Sequence, residues 1–62
     1  MPIVNIQILK GRSPDQKKKM AKAVTDAIVS TINVKPEVVW IVVEEMEKEN
    51  FATGGILHSE KQ

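Results

Sequence analysis

Val38-Val39-Trp40-Ile41-Val42-Val43 is apolar at every position. Side chains alternate between the two faces of a strand, so a strand of this composition is apolar on both. Such strands are covered on both sides and sit centrally in their sheets. The demand is severe in a chain of 62 residues, which has material for one domain spanning residues 1–62. A domain of that size buries only about 60% of the surface its unfolded chain exposes. Small folds offset this with disulfides, metals, an idealised core or association. The chain has no cysteine and one histidine, His58. That excludes a disulfide or a thiolate site and argues against a zinc cage, so no metal is expected. Association remains, and 42% hydrophobic residues can supply the surface for it.

The flanking segments specify what surrounds this strand. Residues 2–9 (PIVNIQIL) read as another strand. Val4, Ile6 and Ile8 point one way; Ile3, Asn5, Gln7 and Leu9 point the other. The second set is mixed, which suits contact with another surface. Lys10-Gly11-Arg12 breaks the pattern as a short loop. Ser13-Pro14-Asp15-Gln16 then reads as a helix start. Ser13 suits the N-cap, Pro14 the first helical position, and Gln16 closes a capping box. Asp15 is placed where the helix dipole favours negative charge. Met20, Val24, Ala27, Ile28 and Thr31 form the expected apolar stripe, with Lys18, Lys22, Asp26 and Ser30 away from it. The helix should end near Ile32-Asn33, with Asn33 as cap and Pro36 unable to extend it.

Two strands joined through a helix pair in parallel with a right-handed crossover. Phe51-Ala52-Thr53-Gly54-Gly55-Ile56-Leu57 adds a tight turn between short strands. The expected fold is α+β: a β-α-β unit with a two-stranded parallel sheet and a short C-terminal hairpin. One helix covers one sheet face. The other face lies bare unless a second subunit covers it, so a homo-oligomer is expected.

Charge excludes some partners. Nine Lys+Arg oppose eight Asp+Glu, a net +1 with no field for nucleic acid or an acidic membrane. No stretch is long enough to span a bilayer. The start shows no basic region followed by an apolar one, as a secretory signal would. A cytoplasmic location fits. Lys17-Lys18-Lys19 reads as a solvated helix face. Glu44, Glu45, Glu47 and Glu49 lack the glycine-containing loop of a cation site. His58 is expected to be exposed.

Four residues carry candidate chemistry. Pro2 follows Met1 directly. If Met1 is removed, the ring nitrogen becomes a free secondary amine, able to take up and release a proton. Chain-start amines titrate near ~8 in model peptides. Arg12, between strand and helix, could hold a carboxylate in a two-point fork, with the helix N-terminus adding attraction for an anion. A strand of eight residues spans about 26 Å, so Pro2 and Arg12 share a site only if they come from different subunits. Phe51 and Trp40 could wall an apolar pocket that destabilises a protonated amine. Trp40 reads first as a core or interface residue; Phe51 reads equally as a pocket wall or as a plain residue of a glycine-flanked tail.

Taken in order, Met1-Pro2, the first strand, Leu9-Lys10-Gly11-Arg12-Ser13, Asp15-Gln16-Lys17, Glu44-Glu45-Met46 and Phe51-Ala52-Thr53-Gly54-Gly55 resemble the 4-oxalocrotonate tautomerase family, the 2-hydroxymuconate tautomerases. The resemblance covers essentially the whole chain. It implies a hexamer built as a trimer of dimers and a keto–enol or double-bond isomerase that uses no cofactor. It implies Pro2 as general base after loss of Met1, Arg12 of another subunit as carboxylate binder, and Phe51 as the wall that keeps the amine partly unprotonated. The best-known members carry a second arginine where this chain has Trp40. An indole offers one N–H and an apolar face in place of a charged fork. Losing such a donor typically costs ~3 kcal/mol of barrier. Weaker action on dicarboxylate dienols is therefore expected, with an aromatic substrate group stacked on Trp40 as an alternative. Hydration and dehalogenation, which need a carboxylate to activate water, are not expected, since residues 51–57 contain none. The rival expectation is a non-catalytic oligomer that binds a ligand or serves a structural role on the same fold.

Overall fold

The computed structural model describes residues 1–61. Strand β1, Ile3–Leu9, lies parallel to β2, Trp40–Met46, in a sheet of two strands. Their register runs from Ile3 opposite Trp40, through Ile6 opposite Val43, to Leu9 opposite Met46. Helix α1, Pro14–Ile32, makes the crossover. A 3-10 turn at Pro36–Val38 leads into β2, so β2 begins two residues later than the apolar run suggests. Pro36 sets that turn: Val39 N–H reaches its carbonyl at 3.1 Å. The extension of β2 to Met46 carries Glu44 and Glu45 into the strand. β3, Ala52–Thr53, and β4, Ile56–Leu57, pair antiparallel around Gly54-Gly55. Both glycines take positive φ, 60° and 81°, which the turn requires and L side chains resist.

Helix α1 begins and ends where its sequence signals lie. The Ser13 hydroxyl accepts from Gln16 N–H at 3.1 Å, and the Gln16 side chain accepts from Ser13 N–H at 3.0 Å. Asn33 closes the other end in the left-handed region at φ 57°, its N–H bonded to the Val29 carbonyl. The covered stripe differs from the expected one. Lys17, Met20, Ala21, Val24, Thr25, Ile28 and Val29 are half-buried, whereas Ala27 and Thr31 are exposed. The Thr31 hydroxyl donates to the Ala27 carbonyl at 2.7 Å, satisfying itself on its own helix. The covered stripe runs from Met20 round to Val29; Ala27 lies at its edge, and Thr31 lies in the last turn, where the helix ends.

The sheet is two-sided in sequence and one-sided in cover. Val4, Ile6, Ile8, Ile41 and Val43 are half-buried; Ile3, Asn5, Gln7, Trp40, Val42 and Glu44 on the opposite face are exposed. Ile3, Trp40 and Val42 each leave about half their surface open, at 50%, 56% and 53%. Among the described residues no hydrophobic side chain is fully buried. The accessible surface is 4965 Å², against about 4,000 Å² for a close-packed monomer of this length. The radius of gyration is 14.6 Å, against about 11 Å for a compact chain of this size. The excess area, about 1,000 Å², is of the size one partner contributes to a stable interface. The apolar pattern of β2 thus calls for cover that one chain does not provide.

Replacing Ser13 with Ala removes one half of the capping box. It should lower stability by about 1 kcal/mol in denaturant titration, at unchanged helix length by circular dichroism.

Candidate active site

Register places Pro2 beside Trp40. The Trp40 backbone N–H donates to the Pro2 carbonyl at 3.0 Å, the bond that opens the ladder at the Ile3–Trp40 pair. Pro2 is half-buried. The sheet around it is neutral, since residues 2–9 and 38–43 contain no charged side chain. Lys35 and Glu37, in the lead to β2, are exposed and opposite in sign.

Arg12, the chain's one arginine, lies past the far end of β1. Gly11 before it has φ 128°, a conformation that turns the chain from strand to helix and disfavours any residue with a Cβ. Arg12 lines a hollow of about 170 Å³ with Ile8, Gln16, Lys17 and Met20. Among the described residues it forms no ion pair, whereas Lys10, Lys17, Lys19 and Lys22 pair with Glu47, Glu45, Asp15 and Asp26. Its guanidinium is exposed and open to an anion. The seven residues of β1 span about 20 Å, which keeps Arg12 away from Pro2 of the same chain.

The lysine run departs from its expected character at one position. Lys17 is half-buried on the covered helix stripe, with Nζ 2.9 Å from Glu45 Oε1 across the helix–sheet gap. The glutamates are used individually: Glu44 accepts from Gln7 Nε2 at 3.0 Å, Glu45 holds Lys17, and Glu47 holds Lys10 at 3.0 Å. The Glu47 carboxylate, by hydrogen bond and then by charge, raises the Lys10 pKa above its ordinary value. Among the described residues no cluster of His, Cys, Asp or Glu is arranged to hold a metal ion, and no helix is long and apolar enough to cross a membrane.

Phe51 also lies at the Arg12 end. β2 delivers the chain to Met46, opposite Leu9, and a 3-10 turn at Lys48–Asn50 leads to Phe51. A hollow of about 450 Å³ between Lys10, Gly11, Glu47 and Lys48 also takes in Ser59, so the turn that follows the hairpin stands near the β1–α1 loop. Five residues past Met46 reach at most ~17 Å, less than the length of the sheet. Phe51 and Pro2 of one chain therefore occupy opposite ends, just as Arg12 and Pro2 do.

His58 corrects the expectation of an exposed side chain. It is half-buried, with its ring centroid 6.0 Å from that of Phe51 and the planes inclined at 55°. The His58 N–H donates to the Phe51 carbonyl at 2.8 Å. The signal lay in the glycines. A turn centred on Gly54-Gly55 pairs Thr53 with Ile56 and Ala52 with Leu57, and the next pair outward is Phe51 with His58.

The molecule is thus a β-α-β unit with one bare sheet face, apolar at the Ile3, Trp40 and Val42 end. Pro2 and Trp40 stand at one end; Arg12 and the Phe51 hairpin stand at the other. Residues 2–60 match the family model described as tautomerase enzyme. A probable tautomerase of Staphylococcus epidermidis is 39% identical over 61 residues, covering 98% of this chain and all of that protein. A solved structure of 4-oxalocrotonate tautomerase isozymes from Methylibium petroleiphilum superposes with a TM-score of 0.96 at 34% identity, over 98% of this chain and 95% of that one. A heterohexamer 4-oxalocrotonate tautomerase from Chloroflexus aurantiacus gives 0.94 at 29% identity, over the full length of both chains. The chain belongs to the tautomerase family and has the 4-oxalocrotonate tautomerase fold.

Proposed function

We propose that the protein is a homo-oligomeric tautomerase that moves a proton within unsaturated or aromatic 2-oxo acids, with Pro2 as general base once Met1 is removed. The observation that carries this is the family match, which begins at Pro2 itself and runs to residue 60. In the ketonisation direction the Pro2 nitrogen takes the proton of the enol hydroxyl. The oxygen electrons form C=O, and the displaced π electrons reach carbon. The ammonium then returns a proton to that carbon, so the amine is regenerated and no electrons leave the substrate. No cofactor enters this balance.

The neutral sheet end supports such a base. Ile3, Trp40 and Val42 neighbour it in sequence and register, and no strand charge is near to stabilise the protonated amine. Cover by another subunit would desolvate it, lowering its affinity for a proton. Phe51 of a neighbouring subunit supplies part of that cover. Arg12 of a neighbouring subunit takes the carboxylate, its side chain being exposed and in no ion pair among the described residues. The assembly that meets these needs is an oligomer built on the bare sheet face, a hexamer by likeness to the Chloroflexus aurantiacus enzyme. A cytoplasmic location accords with this role.

Trp40 tunes the substrate. Its backbone pairs with that of Pro2, and its indole, on the exposed sheet face, offers an apolar plane, not a second cation. It favours acids with one carboxylate and an aromatic or apolar tail over dicarboxylates such as 2-hydroxymuconate.

Two measurements test these roles. Protein whose mass shows Met1 removed should ketonise phenylenolpyruvate, and Pro2→Ala should lower kcat/KM by ~10²-fold or more; equal rates would refute Pro2 as base and leave the non-catalytic oligomer standing. Trp40→Arg should raise kcat/KM on 2-hydroxymuconate and lower it on phenylenolpyruvate. An unchanged ratio of the two substrates would show that Trp40 does not select between them.

A further inference from the structure

We infer that His58 is a positioning residue for the reaction: it holds Phe51 in the orientation that keeps water from the Pro2 amine. The inference rests on the roles proposed above for Pro2 and Phe51. Phe51 is half-buried although it borders a hairpin whose strand residues Ala52, Thr53 and Ile56 are exposed. Its ring has one aromatic neighbour, His58, at a centroid distance of 6.0 Å and a tilt of 55°. That separation and inclination lie in the favourable range for aromatic pairs.

The backbone fixes the two rings together. His58 N–H to the Phe51 carbonyl, at 2.8 Å, forms the base of the hairpin. His58 then starts a 3-10 turn, His58–Glu60, that packs beside the Lys48–Asn50 turn preceding Phe51. Phe51 is therefore gripped from both sides of its own hairpin, and the imidazole bears on its side chain. The charged residues of these elements, Lys48 and Glu49 on one turn and Glu60 with Lys61 on the other, include both signs. Lys61 Nζ is bonded to the Thr53 hydroxyl, which ties the chain after His58 back onto β3.

The consequence can be read in the pH profile. The amine acts as base only when unprotonated, so kcat/KM rises with pH through its pKa. A fixed apolar wall depresses that pKa; a ring free to swing lets water in and lets the pKa climb. Loss of the His58 ring should therefore move the acidic limb to higher pH. The expected movement is about half to one pH unit, the scale set by one aromatic contact.

The test compares pH profiles of phenylenolpyruvate ketonisation for wild type, His58→Ala, His58→Phe and Phe51→Ala, with assembly checked by sedimentation. His58→Ala should shift the acidic limb upward in the same direction as Phe51→Ala, and His58→Phe should restore the wild-type limb. A His58→Ala protein with the wild-type profile, beside a shifted Phe51→Ala, would overturn the positioning role and leave Pro2 untouched. If His58→Ala fails to assemble, His58→Gln takes its place with the same expected shift, and a wild-type profile there is equally fatal. Retention of full activity by Pro2→Ala is the separate result that would remove the base on which the proposal rests.

Discussion

Trp40 donates its amide proton to the Pro2 carbonyl, and the parallel ladder follows from that rung. A slip of one residue would turn every side chain of β2 to the other face. Ile41 and Val43 would lose their place under the helix, and Trp40 would leave the open face. The register also aligns Gln7 with Glu44, whose side chains bond at 3.0 Å on the uncovered side. Packing, the bare face and the separation of the chemical groups therefore share one origin. Parallel pairing demands a crossover, the crossover supplies one helix, and one helix covers one face.

From this follows the division of the candidate site. A parallel β-α-β unit starts both strands at one end and finishes both at the other. Pro2 precedes β1 and Trp40 opens β2, so they meet. Arg12 and Phe51 follow the two strands, so both fall at the far end. A site using Pro2 with Arg12 and Phe51 is composite by topology. The same bare face that leaves the chain incomplete as a folded unit is where a second chain would complete such a site.

The parts legible in sequence were those under local control. Ser13, Pro14, Gln16 and Asn33 specify the helix ends by hydrogen bonds to near neighbours, and the structure has each of them in place. Gly54-Gly55 specified the hairpin turn. Less legible was anything decided by the rotation of one element on another. The helix stripe turned toward Lys17 and Ala21 and away from Ala27 and Thr31, because a repeat of three and four residues is satisfied by overlapping stripes. Lys17 became a half-buried partner of Glu45 for the same reason. Nearness to the C-terminus suggests exposure for His58, whereas hairpin pairing with Phe51 decides its surroundings. The separation of Pro2 from Arg12 was readable from strand length; that of Pro2 from Phe51 needed the path of the chain after Met46.

The composite site is tested most directly by mixing subunits. Pro2→Ala and Arg12→Ala each disable one half of a site but leave the other half intact. Each assembled alone should be nearly inactive on phenylenolpyruvate. Unfolded together and reassembled, they should regain activity, since some sites then join a wild-type Pro2 from one chain to a wild-type Arg12 from another. Native mass spectrometry would establish that mixed oligomers formed. Activity recovered in those oligomers is the predicted result; mixed oligomers as inactive as their parents would contradict a site shared between chains.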